Sequence, residues 1–267
     1  MPHLTLPASP FGAAPSRLHY RERGGGPAVA ILHGGWGYRV YSFDPQMEAL
    51  SAAHRVVAPD RTGYGRSGDL ADLPPGFHRL AAEETVAVLD ALGIAEAVLW
   101  GHSDGAVVAA WAAILHPRRV RGLVLEAFHY LKAKEASAAF FETGACAPER
   151  FGEEAARAMA EDHGDPRWRA VVGMNSRAWL RIIEEGRRGE RDHYQGRLAE
   201  VRAPVLLLHG RRDPRTEPGE IEAARRDLPR ARLALLDAGH SPHSGRAGEE
   251  ATRLAVAFAA EAWGAGG

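Results

Sequence analysis

Gly101-His102-Ser103-Asp104-Gly105 is the segment of this chain most diagnostic of its fold. It has the pattern G-x-S-x-G, with a short apolar run, Ala97–Trp100, before it and a nearly all-apolar segment, Gly105–His116, after it. This context predicts a serine on a tight turn between a buried strand and a helix, where flanking glycines avoid clashes and the helix N-terminus favours negative charge. We therefore predict that Ser103 is a nucleophile. The alternative is a loop serine that caps the helix.

Short apolar runs alternate with longer segments of helical periodicity along the rest of the chain. The runs indicate strands buried on both faces, and the alternation is typical of βαβ units. The predicted strands are Ala28–Leu32, Arg55–Ala58, Ala97–Trp100, Gly122–Leu125, Val205–Leu208 and Arg232–Leu236, with an antiparallel strand over Leu18–Arg23. The predicted helices are His78–Leu92, Gly105–His116, Pro218–Leu228 and Gly248–Ala262. We predict an α/β fold with a mostly parallel, doubly wound sheet.

Residues 129–200 interrupt this alternation. They contain no apolar strand run and are rich in Ala, Glu and Arg with helical spacing, as in Glu153–Glu161 and Arg177–Glu185. Because segments at the carboxyl ends of parallel strands often carry function, we interpret this stretch as a helical cap inserted over the strand ends. The expected division is a core of residues 1–128 and 201–267 and a cap of residues 129–200.

A serine hydroxyl needs a base that accepts its proton and an acid that orients the base. Asp213 and His240 each come just after a predicted strand, so both are expected at the sheet edge that carries Ser103. We predict that His240 is the base and Asp213 the acid. His243 is a competing base, and Glu126, at the end of another predicted strand, is a competing acid.

A glycine-rich turn, His33–Gly37 (HGGWG), follows the predicted strand Ala28–Leu32. The negative charge that develops on a carbonyl oxygen during acyl transfer needs preorganised N–H donors, and glycines let backbone amides approach closely. We predict that the Asp104 amide is one donor. The other is expected from Gly35 or, as a second choice, Trp36. The alternative is an ordinary turn between a strand and a loop.

The composition excludes several classes of function. The 267 residues include 33 Lys and Arg against 34 Asp and Glu. This balance gives no net positive charge that would attract nucleic acid or an anionic bilayer. No apolar run approaches membrane-spanning length and the N-terminus lacks a signal-peptide pattern, so we expect a cytoplasmic protein. Cys146 is the one cysteine, which excludes an internal disulfide, and the histidines show no metal-ligand spacing. We expect no metal and no cofactor. The sequence does not indicate which oligomeric state the protein has.

Taken together, these motifs resemble the α/β-hydrolase fold superfamily, in its serine hydrolase branch. The resemblance covers nearly the whole chain outside the expected cap and includes one further motif, Asp60–Ser67 (DRTGYGRS). Haloalkane dehalogenases and epoxide hydrolases of this fold carry Asp at the nucleophile position, where this chain has Ser103. The Ser-Asp-Gly sequence at the turn resembles the valacyclovirase (biphenyl-hydrolase-like) group, in which the aspartate helps to recognise an amino group. This resemblance implies that Asp104, and with it Glu126, is an anionic handle for a cationic substrate; the alternative for Asp104 is a helix cap.

The expected function is hydrolysis of a small carboxylic ester by Ser103, His240 and Asp213 through an acyl-enzyme. An amino-acid ester or a related amide is the narrower hypothesis. Two alternatives stay open. One is hydrolysis of a carbon–carbon bond or a lactone by the same residues, and the other is a ligand-binding receptor of this fold without enzymatic activity. The expected partner in each case is a small molecule.

Overall fold

Eight strands form one sheet in the part of the chain that the computed structural model describes, residues 2–12 and 15–264. The strands are β1 (His3–Leu6), β2 (Ser16–Arg23), β3 (Ala28–Leu32), β4 (Arg55–Pro59), β5 (Ala97–His102), β6 (Val120–Glu126), β7 (Val205–Gly210) and β8 (Arg232–Leu236). Their order across the sheet is β1-β2-β4-β3-β5-β6-β7-β8. The first two pairs of neighbours are antiparallel and the other five are parallel. The predicted mostly parallel sheet is therefore confirmed.

Eight α-helices accompany the sheet within the described residues. They are α1 (Asp44–Ser51), α2 (Phe77–Ala91), α3 (Asp104–Leu115), α4 (Ala138–Cys146), α5 (Glu153–His163), α6 (Arg167–Arg187), α7 (Glu220–Asp227) and α8 (Gly248–Gly264). The four helices predicted between strands are present as α2, α3, α7 and α8. The sequence did not predict α1 or β1, because α1 buries only three side chains and β1 only one. Across the described residues, no helix combines the length and the apolar character that crossing a membrane requires.

Side chains of the parallel strands point alternately into two layers of helices. In β3, Ala28, Ala30 and Leu32 pack with buried residues of α2, α3 and α7, whereas Val29 and Ile31 pack with residues of α1 and α8. This alternation follows from the two-residue period of a strand. It explains why the strands are near-continuous apolar runs, since both faces are buried.

Three helices, α4, α5 and α6, lie between β6 and β7, within the segment that the sequence assigned to a cap. The insertion packs onto the rest of the chain through aromatic side chains. Phe141 of α4 and Trp179 of α6 are buried in one cluster with Tyr64 and Phe77, which precede the insertion in the chain. The rings of Phe141 and Trp179 are stacked at 5.1 Å. Apolar contact therefore holds the insertion against the carboxyl edge of the sheet.

The turn between β5 and α3 brings three backbone segments into close approach. Ser103 has φ 54° and ψ −118°, a conformation that residues other than glycine rarely adopt. A Cβ atom at Gly101 would lie under 3.0 Å from the Gly105 carbonyl, and one at Gly105 would lie equally close to the Leu32 carbonyl. Both glycines are therefore needed because the helix starts in contact with the neighbouring strands.

We expect Gly105→Ala to lower the free energy of unfolding by about 2 kcal/mol, because the added methyl group forces backbone segments apart. Urea denaturation followed by circular dichroism measures this change. Gly25→Ala is the matched control, since a Cβ there meets no atom within 4 Å. A Gly105→Ala variant as stable as the control would contradict this account of the turn.

Candidate active site

The structure brings together the three predicted residues Ser103, His240 and Asp213. They follow β5, β8 and β7, and the carboxyl ends of parallel strands meet at one edge of the sheet. His240 Nε2 lies 3.0 Å from Ser103 Oγ, and its Nδ1 lies 2.9 and 3.0 Å from the two carboxylate oxygens of Asp213. Each distance is that of a hydrogen bond. The arrangement can move a proton from the serine hydroxyl to an imidazole that a carboxylate orients.

The electrostatics of this site keep His240 neutral. Burial, together with the positive charge of Arg215, lowers the pKa of His240 to about 4, although Asp213 acts in the opposite direction. For Asp213, burial favours the neutral acid, but hydrogen bonds from His240 and from the Arg215 amide outweigh it and hold its pKa below the usual range. Near neutral pH the pair is therefore an uncharged base beside an ionised acid, as proton abstraction requires.

The expected oxyanion donors lie around the nucleophile. Gly35, Trp36 and Asp104 line the same cavity as Ser103. Asp104 is the first residue of α3, and the first amides of a helix have no partner within it. A Cβ at Gly35 would overlap the side chain of Asn175, so only glycine fits beneath α6 at this position. Gly35 and Asp104 thus lie at the wall of the cavity that holds Ser103, and the oxyanion role of their amides stays a prediction.

The Asp104 carboxylate is hydrogen-bonded to other side chains of this protein. Its Oδ2 accepts a hydrogen bond from Asn175 Nδ2 at 2.7 Å, and its Oδ1 accepts one from Trp179 Nε1 at 2.7 Å. His78 Nε2 lies 3.3 Å from Oδ1, and Arg61 lies 3.8 Å from Oδ2. The burial of Asp104 opposes ionisation, but these neighbours, His78 first, hold its pKa below the usual range. The carboxylate therefore links the turn to α2 and to the insertion.

Glu126 and His243 do not reach the cavity. The Glu126 carboxylate accepts hydrogen bonds from Trp100 Nε1 at 2.8 Å and from the backbone amide of His243 at 2.8 Å. His243 Nδ1 lies 2.7 Å from the same carboxylate, and the His243 ring stacks on Phe43. The expected substrate-binding role of Glu126 is therefore corrected: its side chain faces the layer of α1 and α8 and braces the loop that carries His240.

A second histidine, which the sequence did not predict, contacts Ser103. His129 Nε2 lies 3.3 Å from Ser103 Oγ, and the His129 ring lies 5.6 Å from the His240 ring at an interplanar angle of 25°. Burial, with nearby positive charges such as Lys134, lowers the pKa of His129 well below the ordinary value, so the ring is neutral. His129 lies three residues after the end of β6, and this position after a strand is the sequence feature from which its place in the site could have been predicted. A neutral His129 with its proton on Nε2 can donate to Ser103 Oγ.

The insertion nearly closes the cavity around Ser103. Its free volume is about 20 Å³, enough for roughly one water molecule. The lining includes side chains from the insertion and from the loops after β3 and β7, namely Tyr41, Phe140, Phe141, Asn175, Trp179 and Arg215. Four of these six side chains are aromatic. Any substrate larger than water therefore needs some of these side chains to move.

Three buried side chains, one of them next to Ser103 in the chain, have the chemistry of metal ligands. Within the described ranges, His102, Glu126 and His243 form the one group of this kind, with a ligand atom from each lying within 4.8 Å of the others. Protein hydrogen bonds already use most of these atoms: His102 Nε2 lies 3.0 Å from Ser241 Oγ, and both His243 nitrogens have partners. His102 Nδ1 has no hydrogen-bond partner among the described residues. The trio could hold an ion only by exchanging these bonds for metal ligation.

Comparison with known proteins identifies the family. The sequence profile of the Alpha/beta hydrolase family matches residues 29–254, so the chain belongs to this family. An epoxide hydrolase of Caballeronia sordidicola is 41% identical over 107 residues, which is 40% of this chain and only 32% of that protein. A putative carbamate hydrolase, RutD, of Azorhizobium caulinodans is 29% identical over 241 residues, covering 83% of this chain and 87% of the relative.

The fold agrees with this assignment. A thermophilic esterase from Thermogutta terrifontis superposes with a TM-score of 0.75 at 22% identity, covering 98% of this chain and 99% of that structure. At this level of identity the likeness concerns the fold alone. The resemblance of Ser-Asp-Gly to the valacyclovirase group stays a prediction.

We expect the His240 ring to titrate at about pH 4, because burial and Arg215 disfavour its charged form. Proton NMR of the imidazole signals against pH measures the midpoint, and His240→Asn identifies the signal that belongs to this residue. The ring should be neutral at pH 6 and should gain its proton only as the pH falls through about 4. A midpoint at or above the ordinary value of 6.5 would contradict this description of the site.

Proposed function

We propose that this protein is a serine hydrolase that cleaves small carboxylic esters through an acyl-enzyme on Ser103. The observation that carries the proposal is the hydrogen-bonded chain from Ser103 Oγ through His240 to Asp213. A neutral imidazole beside a serine hydroxyl is the arrangement that activates a serine for attack on a carbonyl carbon. The nearby amides of Gly35 and Asp104 match the need for donors to the oxyanion.

In the first half of the proposed reaction, Ser103 Oγ attacks the carbonyl carbon while its proton passes to His240 Nε2. His129, with its proton on Nε2, donates to Ser103 Oγ and leaves the hydroxyl proton directed at His240. Asp213 stabilises the imidazolium that forms. The carbonyl oxygen takes up the negative charge, and the Gly35 and Asp104 amides donate to it.

Collapse of the tetrahedral intermediate breaks the bond to the leaving alkoxide, which takes the proton from His240 Nε2 and departs as an alcohol. The acyl group is then esterified to Ser103. Water attacks this ester while its proton passes to His240, and the second intermediate releases the carboxylic acid and restores the serine hydroxyl. The cycle needs the protein and water only.

The identity of the nucleophile argues for acyl substrates over epoxides. Attack of a serine oxygen on an epoxide carbon would form an alkyl ether, which water activated by His240 cannot cleave. Attack on an ester carbonyl forms an acyl-enzyme, which the same water cleaves readily. The local sequence similarity to an epoxide hydrolase is therefore not an argument for epoxide hydrolysis by a chain that has Ser103. A lactone or a carbon–carbon bond next to a carbonyl remains the alternative substrate of the same residues.

We also propose that residues 129–200 act as a cap over a core of residues 1–128 and 201–267. Helices α4 and α6 supply Phe140, Phe141, Asn175 and Trp179 to the cavity wall, which supports this role. A wall of this kind selects small molecules and excludes water from the reacting groups. A small-molecule substrate in the cytoplasm, with no nucleic-acid or membrane partner, fits the near-zero net charge.

We expect Ser103→Ala to lower kcat for para-nitrophenyl acetate and butyrate by roughly a thousandfold or more, with unchanged thermal stability, since the variant lacks the nucleophile. Release of nitrophenol measures the rate. Ser51→Ala, at the end of α1 and outside the cavity lining, is the matched control and should behave as the wild type. Ser103→Ala with more than about a tenth of wild-type activity would overturn the proposal. Labelling of Ser103 by a phosphonate without turnover of any ester would favour lactones, carbon–carbon bonds or a receptor.

The narrower amino-ester hypothesis has a direct test. Because Asp104 already accepts hydrogen bonds from Asn175 and Trp179, a substrate ammonium would have to displace them. We expect esters that differ only in a free α-amino group to have kcat/KM values within about threefold of each other. Steady-state hydrolysis of such a pair measures the ratio. A strong preference for the amino ester, lost in Asp104→Asn, would restore Asp104 as an ammonium anchor.

A further inference from the structure

Arg215 lies two residues beyond the catalytic acid and its backbone is fixed in place. Its amide donates to Asp213 Oδ1 at 2.9 Å. Its carbonyl accepts a hydrogen bond from Lys134 Nζ at 3.0 Å. Lys134 is itself fully buried and paired with Glu220. The loop therefore presents the Arg215 side chain from a rigid support next to the triad.

The guanidinium of Arg215 faces the cavity that holds Ser103. Its Cζ lies 3.9 Å from the centre of the Phe140 ring and 5.9 Å from that of Trp36, and both rings line the cavity. Tyr41 also lines this cavity, and its interaction with Arg215 raises the pKa of the arginine against the effect of burial. Among residues 2–12 and 15–264, no carboxylate lies within the 4.0 Å that defines an ion pair with this guanidinium. A planar cation is thus held against aromatic faces with its N–H groups incompletely used.

The two carboxylates nearest to Arg215 already have hydrogen-bond partners within the protein. Asp104 has Arg61 at 3.8 Å and hydrogen-bond donors on both carboxylate oxygens. Both oxygens of the ionised Asp213 lie within hydrogen-bond distance of the neutral His240, and its negative charge acts on Arg215 from beyond ion-pair distance. Arg215 is therefore the cavity-lining charge that has no direct ion pair in the described structure. Its guanidinium N–H groups can donate to an anion with acceptor oxygens.

We propose that Arg215 binds a carboxylate of the substrate, so that the preferred substrates are esters whose acyl part carries a second, ionised carboxyl group. The inference rests on the proposed ester hydrolysis by Ser103 and names its substrate class. A guanidinium presents two parallel N–H donors that match a carboxylate, and a partly desolvated pair of this kind is stronger than one in water. A bound carboxylate would fix the acyl chain relative to Ser103 Oγ, because Arg215 lies on the loop of Asp213 and its amide is hydrogen-bonded to that residue.

The structural alternative is that Arg215 only supports α4 through its contact with Phe140. Loss of such support would slow all substrates alike, whereas loss of a carboxylate site changes the ratio between charged and neutral substrates. The test therefore measures a ratio. It compares mono-para-nitrophenyl glutarate with para-nitrophenyl valerate, which share a leaving group and an acyl chain of similar length.

We expect wild-type kcat/KM for the glutarate to exceed that for the valerate by about tenfold, and Arg215→Gln to lower this ratio by about tenfold, to a value near one. Arg215→Lys should keep part of the preference, since it retains the charge without the paired donors. Arg211→Gln removes an exposed arginine of the same loop outside the cavity lining and is the matched control. It should leave the ratio unchanged.

A wild-type ratio near one, or a ratio that Arg215→Gln leaves unchanged, would overturn the carboxylate site while leaving ester hydrolysis standing. Turnover of neither ester would instead overturn the proposed function. Calorimetry then reports on the site without catalysis. Binding of the glutarate ester to Ser103→Ala that is lost in Ser103→Ala combined with Arg215→Gln supports the site, and binding that the second change does not weaken contradicts it.

Discussion

The crossing of β5, α3 and β3 at Ser103 is the constraint on which the rest of the site depends. Because Gly101 and Gly105 leave no room for a side chain, the chain reverses direction within a few residues and holds Ser103 at a positive φ. The apolar packing of both helical layers against the sheet stabilises this conformation. The serine hydroxyl is thereby lifted from the sheet edge toward the histidine that follows β8, and the first amide of α3 is left at the cavity wall.

The two buried carboxylates near this turn each have defined partners. The Glu126 carboxylate holds the loop of His240 through His243, and Asp104 ties the turn to the insertion. Both carboxylates are used for architecture, so neither is free for a ligand. His240 stays neutral because burial and a neighbouring arginine disfavour its protonation. The same low-dielectric environment strengthens every electrostatic interaction inside the cavity. A cavity charge without a direct ion pair, such as that of Arg215, therefore has a strong effect on which ligands bind.

The sequence predicted the sheet and the three residues of the hydrogen-bonded chain because both depend on local patterns. An apolar run predicts a strand, and the carboxyl end of that strand predicts the edge of the sheet at which the following residues lie. It does not tell which face a side chain at the strand end points to, so the sequence could not show that the Glu126 side chain lies outside the cavity. Contacts between distant segments were also beyond the sequence: Asn175 and Trp179 reach Asp104 across 71 and 75 residues. His129 carries no motif, and only the folded chain shows that its ring contacts Ser103.

The proposed mechanism requires that Ser103 becomes covalently acylated during turnover. Rapid mixing of the protein with excess para-nitrophenyl acetate, acid quenching and peptide mapping by mass spectrometry would detect this intermediate. We expect one acetyl group on the peptide that contains Ser103, present during the reaction and gone once the ester is consumed. Release of nitrophenol with Ser103 unmodified at all times, or with the acetyl group on His129 or another residue, would contradict it.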